Sequence, residues 1–374
     1  MKVLVWQWGR RGAGPLLAAH IANALRSIPG TEAFLSLSTR AEVLQGHDAP
    51  CCALEVDTYD GAAGLVCRLL QAPVAVPRLI RRLAALDPDV AVCAMLGPLD
   101  LMCAAALRWL RIPMVVIVHD ADRHPGDRFP FLMIVQRQLL RSADAIVTLS
   151  QHVAGQLETQ SVARHPPSVL RLPPLVFGPV VSGPRAHGGP LRLLFFGRLL
   201  PYKGLGLLKA AVSELGCPGQ WELRVVGSGP EGTELDALRA ITGVTVENRW
   251  VPEGEIAALI AWADAIVLPY VEASQSGVAP GAIAAGRIVV ATRVGGLAEQ
   301  LEDHDLARLC DPRPASLAAV LRHLLHEDLS ASRPTADPRK DWYRFATDLV
   351  DRVLTPILRH DLKATLSNHT LRAV

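Results

Sequence analysis

The feature that most limits what this chain can fold into is a repeated alternation of short apolar, β-branched runs with longer stretches of helical spacing. Such alternation marks parallel strands joined by crossover helices. In the first half, Lys2 to Trp6, Val90 to Met95, Met114 to Val118 and Ala145 to Leu149 read as buried strands, with helices over Pro15 to Leu25 and Val76 to Leu86. A second series has strands at Leu191 to Phe196, Glu222 to Val226, Val244 to Arg249, Ala265 to Leu268 and Ile288 to Ala291, and its first helix starts at about Leu205. Phe177 to Pro190, rich in glycine and proline, separates the two series and reads as a linker. Since 374 residues exceed one ordinary core, the expectation is an α/β chain of two doubly wound, Rossmann-like domains facing each other across a cleft. Their spans are 1–176 and 191–345, with a helical segment over 346–374 that can return to the first domain.

Charge excludes one class of function. Lys plus Arg number 38 against 36 Asp plus Glu, so no global field points to nucleic acid. The seven cysteines form no C-x-x-C pair or zinc spacing and read as reduced, mostly buried thiols. The N-terminus lacks the apolar run of a signal peptide, which leads to the expectation of a cytoplasmic protein. The most apolar window, Leu99 to Val118, is interrupted by Asp100, Arg108, Arg111 and Pro113 and is a poor membrane span. One helix sets Arg78, Arg81 and Arg82 beside Leu79, Ile80 and Leu83, a make-up that suits peripheral contact with the inner face of a membrane. The simpler reading of the same residues is that the apolar ones form the face packed on the sheet and the arginines are solvated.

The residues with the clearest chemistry follow the first strand of the second series: Phe196-Gly197-Arg198-Leu199-Leu200-Pro201-Tyr202-Lys203-Gly204. In a parallel sheet this is the carboxyl edge, where ligands bind. Arg198 and Lys203 flank a turn whose glycines allow close backbone approach, which suits a diphosphate. Taken alone, the same run also fits a solvated loop. Further strands end in glycines at Gly227-Ser228-Gly229, Ser276-Gly277 and Gly295-Gly296. In the first half, Gly9-Arg10-Arg11-Gly12-Ala13-Gly14 follows the first strand, and Val118-His119-Asp120 ends a later one.

In order, the runs G-R-x3-Y-K-G at Gly197 to Gly204, V-G-S-G-P-E at Val226 to Glu231, A-D-A-I-V-L-P-Y at Ala263 to Tyr270, A-A-G-R-I-V-V-A-T at Ala284 to Thr292 and G-G-L-A-E at Gly295 to Glu299 resemble the retaining glycosyltransferases of family 4, which have the GT-B fold. The resemblance implies a metal-independent, hexosyl-type transferase, as in polysaccharide biosynthesis, with no cofactor beyond its nucleoside-diphosphate sugar donor, most readily a UDP- or GDP-sugar. It implies a glycan, lipid-linked or small-molecule acceptor. Arg198 and Lys203 would hold the donor diphosphate, with Gly197, Gly227, Ser276 and Gly277 lining the donor site. Gly12 and Gly14 would form the acceptor-side loop, and His119 and Glu272 would act in catalysis. Closure about the linker would exclude water.

The chain departs from the family at one place. Where many members carry E-x7-E, Ala273 and Gly281 stand, and Glu272 comes one residue early. Ser274-Gln275-Ser276-Gly277 resembles a subset of the family. The departure leaves a catalytically inactive sugar-nucleotide-binding relative and a sugar-nucleotide epimerase of the same fold as alternatives. His119-Asp120-Ala121-Asp122-Arg123-His124 is a further candidate, as the seed of a metal site, but no second dense cluster of ligands accompanies it.

Overall fold

The computed structural model describes residues 1–46, 49–123, 131–162, 165–175, 188–329 and 337–360. They divide into two compact α/β units. The first holds described residues 1–122, 131–171 and 342–360, and the second holds described residues 123 and 172–341.

In the first unit the elements run β1 (Lys2–Gln7), α1 (Ala13–Arg26), β2 (Glu32–Ser38), β3 (Leu54–Val56), α2 (Gly61–Leu70), α3 (Ala72–Leu86), β4 (Val90–Cys93), α4 (Asp100–Leu110), β5 (Met114–Val118), α5 (Leu132–Ser142), β6 (Ala145–Thr148), α6 (Gln151–Gln160) and β7 (Ser168–Val169). The strands form one parallel sheet in the order β3-β2-β1-β4-β5-β6-β7. Helices cover both faces of such a sheet, so its central strands can be apolar throughout. Val90–Cys93 and Met114–Val118 are accordingly buried at every residue. On one face, Leu83 of α3, Leu107 of α4 and Leu139 of α5 share a core with Leu4, Cys93 and Val116 of the sheet. Leu79 and Leu83 are buried there, so they form the face packed on the sheet, as the packing reading of this helix expects.

The second unit continues with β8 (Leu191–Phe196), α7 (Leu205–Leu215), β9 (Trp221–Gly227), α8 (Thr233–Arg239), β10 (Val244–Asn248), α9 (Glu253–Trp262), β11 (Ala265–Leu268), α10 (Val278–Ala284), β12 (Ile288–Thr292), α11 (Gly295–Leu301), β13 (Ala307–Cys310) and α12 (Pro314–Leu324). Its parallel sheet has the order β10-β9-β8-β11-β12-β13. Helix α13 (Pro338–Leu349) buries Trp342, Phe345, Ala346 and Leu349. Trp342 stacks on His20 of α1, ring centroids 5.0 Å apart, so this end of the chain belongs with the first unit.

Of the linker, residues 177–187 lie outside the described residues. The thiols are less buried than expected: Cys93, Cys103 and Cys310 are buried, but Cys51, Cys67 and Cys217 are exposed.

Candidate functional site

Each sheet reverses its strand order once, between β1 and β4 in the first unit and between β8 and β11 in the second. At such a reversal the loops leaving the strands diverge to opposite faces and open a crevice at the carboxyl edge. The glycine-bearing loops lie at these two points.

In the second unit, the loop after β8 is tied to the end of β9. The Gly197 N–H donates to the Val226 carbonyl at 3.1 Å and the Leu199 N–H to that of Ser228 at 2.9 Å. A Cβ at Gly227 would stand 1.7 Å from the Gly197 carbonyl oxygen, so only glycine lets the two loops close together. Asn248 holds the other end, accepting from the Gly229 N–H at 3.0 Å and donating to the Gly229 carbonyl at 3.1 Å. The chain then turns through Pro201–Lys203 into Gly204, which has φ 75° and starts α7. A Cβ on Gly204 would lie 1.8 Å from the Pro269 carbonyl oxygen. The Val271 N–H donates to the Tyr202 carbonyl at 2.9 Å and joins this loop to the one after β11.

Two tyrosines set the cations. Arg198 is exposed, donates from its guanidinium to the Tyr202 hydroxyl, and lies over that ring at 5.4 Å. Lys203 places its Nζ 3.6 Å from the centroid of the Tyr270 ring and 5.0 Å from that of Tyr202. Tyr202 and Tyr270 are buried, which gives both cations a rigid aromatic base. Among the described residues Lys203 enters no ion pair, so its charge is available to a ligand.

The other predicted donor residues divide. Glu272 is exposed on the segment after β11, next to buried Ala273, whose carbonyl accepts from the Gly296 N–H at 3.0 Å. Ser276 is buried and its groups are committed within the protein. Its N–H donates to Gln300 Oε1 at 2.9 Å, while its hydroxyl accepts from the amides of Val278 and Ala279 at 3.2 and 3.3 Å. The structure thus gives Ser276 the task of capping α10, not of offering its own amide to an anion. Gly277 stands between this cap and α10 and is half-buried.

In the first unit, the Gly9–Gly14 loop is built around one side chain. Gln7, buried at the end of β1, accepts from the Gly9 N–H at 2.8 Å. A Cβ on Gly14 would come within 2.8 Å of the Gln7 side chain. Gly12, exposed with φ 83°, caps α1. His119, at the end of β5, pairs its Nε2 with the Ala94 carbonyl at 3.1 Å. Burial pushes its pKa below the usual histidine range against the opposing effects of Asp120 and that carbonyl, so the ring is neutral at neutral pH. Asp122 is exposed and His124 lies outside the described residues.

Beside this loop is Asp100, which sequence reasoning used only as an interruption of an apolar window. It is fully buried, accepting from Gly97 N–H at 2.6 Å and Trp6 Nε1 at 3.2 Å. Burial pushes its carboxyl up to about 6, although the bonds from Gly97, Trp6 and Cys93 pull the other way. Because the folded value exceeds the ordinary 3.8, this group's stabilising contribution is complete below about pH 4 and is lost as pH rises through about 6. The shift amounts to on the order of 3 kcal/mol. The stability of the wild type relative to Asp100→Asn should therefore rise as pH falls from 7 to 4, as measured by urea unfolding; a constant difference would contradict the assignment.

Residues 6–173 match the family model for a "Glycosyl transferase 4-like domain", and residues 190–327 that for "Glycosyl transferases group 1". The 2-deoxystreptamine glucosyltransferase of Streptomyces kanamyceticus is 28% identical over 59% of this chain and 64% of its own. The glycogen synthase of Mycobacterium tuberculosis is 29% identical over 65% of this chain and 63% of its own. The chain thus spans just under two thirds of the length of these curated relatives. A crystal structure of Anabaena Alr3699/HepE in complex with UDP and glucose has the same fold, with a TM-score of 0.66 at 19% identity over 98% of this chain and all of that one. A glycosyltransferase family model thus matches each unit, and the fold is that of the GT-B glycosyltransferases.

Proposed function

We propose that this protein transfers a hexose, with retention of anomeric configuration, from a UDP- or GDP-sugar to a glycan, lipid-linked or small-molecule acceptor. The observation that carries the reading is the pair Arg198 and Lys203, both cationic, both braced on buried tyrosines, on one loop at the strand-order reversal of the second sheet. The leaving nucleoside diphosphate gains negative charge as the glycosidic bond breaks. Cations already in place stabilise that charge without reorganising. Gly197 and Gly227 bring the backbone close enough to the diphosphate for its amides to serve, and Gly277 lines the far side of the donor site. Glu272 contacts the donor sugar in place of the family's glutamate. Neutral His119, at the end of β5 with its Nε2–H given to the Ala94 carbonyl, acts on the acceptor side as a hydrogen-bond acceptor, and the Gly12–Gly14 loop lines the same side.

The relatives named above support this reading, since one is a glucosyltransferase and the Anabaena structure holds UDP and glucose. The test is turnover with UDP-, GDP- and ADP-sugars in the presence and absence of acceptors. Acceptor-dependent release of nucleoside diphosphate is expected. Conversion of the donor without any acceptor would make the protein an epimerase, and binding without turnover would make it an inactive relative. Because protein cations hold the diphosphate, activity is expected to persist in EDTA. Loss that manganese restores would assign the charge role to a metal.

A further inference from the structure

The outer side of the helical layer on the first sheet has an unusual make-up. Helices α2, α3, α4 and α5 turn Leu65, Leu83, Leu107 and Leu139 into one core, so the opposite sides of these helices face away from the sheet. Within the four helices the only carboxylate is Asp100, and it is buried, while the flanking Asp60 and Asp87 pair with Arg10 and Lys2. Arg78, Arg81, Arg108, Arg111, Arg137 and Arg141, on or next to α3, α4 and α5, are exposed. Among the described residues none of these six enters an ion pair. The same side exposes large apolar groups: Val66 by 57%, Leu70 by 76%, Val74 by 55%, Trp109 by 75% and Ile134 by 71%. Leu70 and Val74 flank the corner where α2 and α3 meet at 74°.

A surface with one sign of charge attracts any polyanion. Exposed apolar side chains among the arginines select a particular one, because they gain from an environment in which they leave water while the guanidinium groups stay at its edge. We propose that this face docks on an anionic lipid bilayer, with the arginines at the headgroups and Leu70, Val74, Trp109 and Ile134 entering the interface. Among the described residues no single helix is long and apolar enough to cross a membrane, and the bent pair α2 and α3 is anchored in the core by Leu65, Leu79 and Leu83. The contact is therefore peripheral. It is independent of the donor site, which lies in the other unit.

Sedimentation of the full chain with phosphatidylglycerol vesicles, with phosphatidylcholine vesicles, and with phosphatidylglycerol vesicles plus competing duplex DNA tests this. Binding to phosphatidylglycerol alone is expected, weaker at high salt. Arg78→Gln, Arg81→Gln, Arg108→Gln and Arg137→Gln combined should lower that affinity about a thousandfold. Leu70→Ser with Trp109→Ser should lower the salt-resistant remainder at least fivefold. All six positions are exposed, and far-UV circular dichroism confirms the fold of each variant. Absence of binding to phosphatidylglycerol at low salt, or wild-type binding by the arginine variant, would overturn the proposal. Displacement by DNA together with wild-type binding by the Leu70 and Trp109 variant would also overturn it, leaving a general polyanion surface.

Discussion

Gly204→Ala is expected to destabilise the second unit by on the order of 3 kcal/mol and lower its melting temperature by roughly 10 °C. Two effects add. The backbone at φ 75° is unfavourable for any residue with a Cβ, and that Cβ would overlap the Pro269 carbonyl oxygen at 1.8 Å. Relief requires the Arg198–Lys203 loop to move away from the segment after β11, so the hydrogen bond from Val271 to Tyr202 would be lost with it. Gly219→Ala serves as the control, because Gly219 also has positive φ, at 87°, but open space around it. It should cost only about 1 kcal/mol. Equal losses from the two substitutions, measured by thermal unfolding, would show that the close approach at Pro269 carries no weight.

Arg198→Ala combined with Lys203→Ala should lower kcat/KM about a hundredfold, or about 2.7 kcal/mol of transition-state stabilisation. Each single change should cost about tenfold. Neither residue lies in the core: Arg198 is exposed and Lys203 half-buried, so the melting temperature should move little. Wild-type turnover in the double variant would remove these cations from the reaction. Turnover lost in step with unfolding would assign them to structure instead.

How far the chain could be read from its residues differs between its parts. The central strands were legible because they are apolar at every position, as in Ala265–Leu268 and Met114–Val118. Strand β2 was missed because its serines look like loop residues. In the fold they are satisfied by side chains far away in sequence: Trp8 Nε1 donates to Ser36 at 3.0 Å, and Ser38 pairs with Thr58 at 2.7 Å. No local pattern reveals such partners. Helix α13 was legible as a helix, but its place was set by the stacking of Trp342 on His20, a contact across most of the chain.

The candidate site shows the same division. The loop with Arg198 and Lys203 could be found because glycine and cations follow an apolar strand. What holds those cations in place could not: Tyr270 meets Lys203 from another strand's end, and its spacing carries no signal. Ser276 reads as part of the donor-site lining, although Gln300, 24 positions on, takes its amide. Asp100 read as a polar break, yet burial beside Trp6 makes it the most perturbed carboxylate among the described residues. Gln7 gave a weak clue, a polar residue closing a strand that is apolar from Val3 to Trp6, two positions before the first glycine.

The most direct test of the account is calorimetric titration of UDP and GDP into the wild type, Arg198→Ala and Lys203→Ala, with unfolding temperatures recorded in parallel. Saturable binding of one nucleotide to the wild type is predicted, weakened tenfold or more in each variant at an unchanged unfolding temperature. Equal affinity in all three proteins, or no binding of either nucleotide to the wild type, would contradict the claim that this loop holds the diphosphate of a sugar donor.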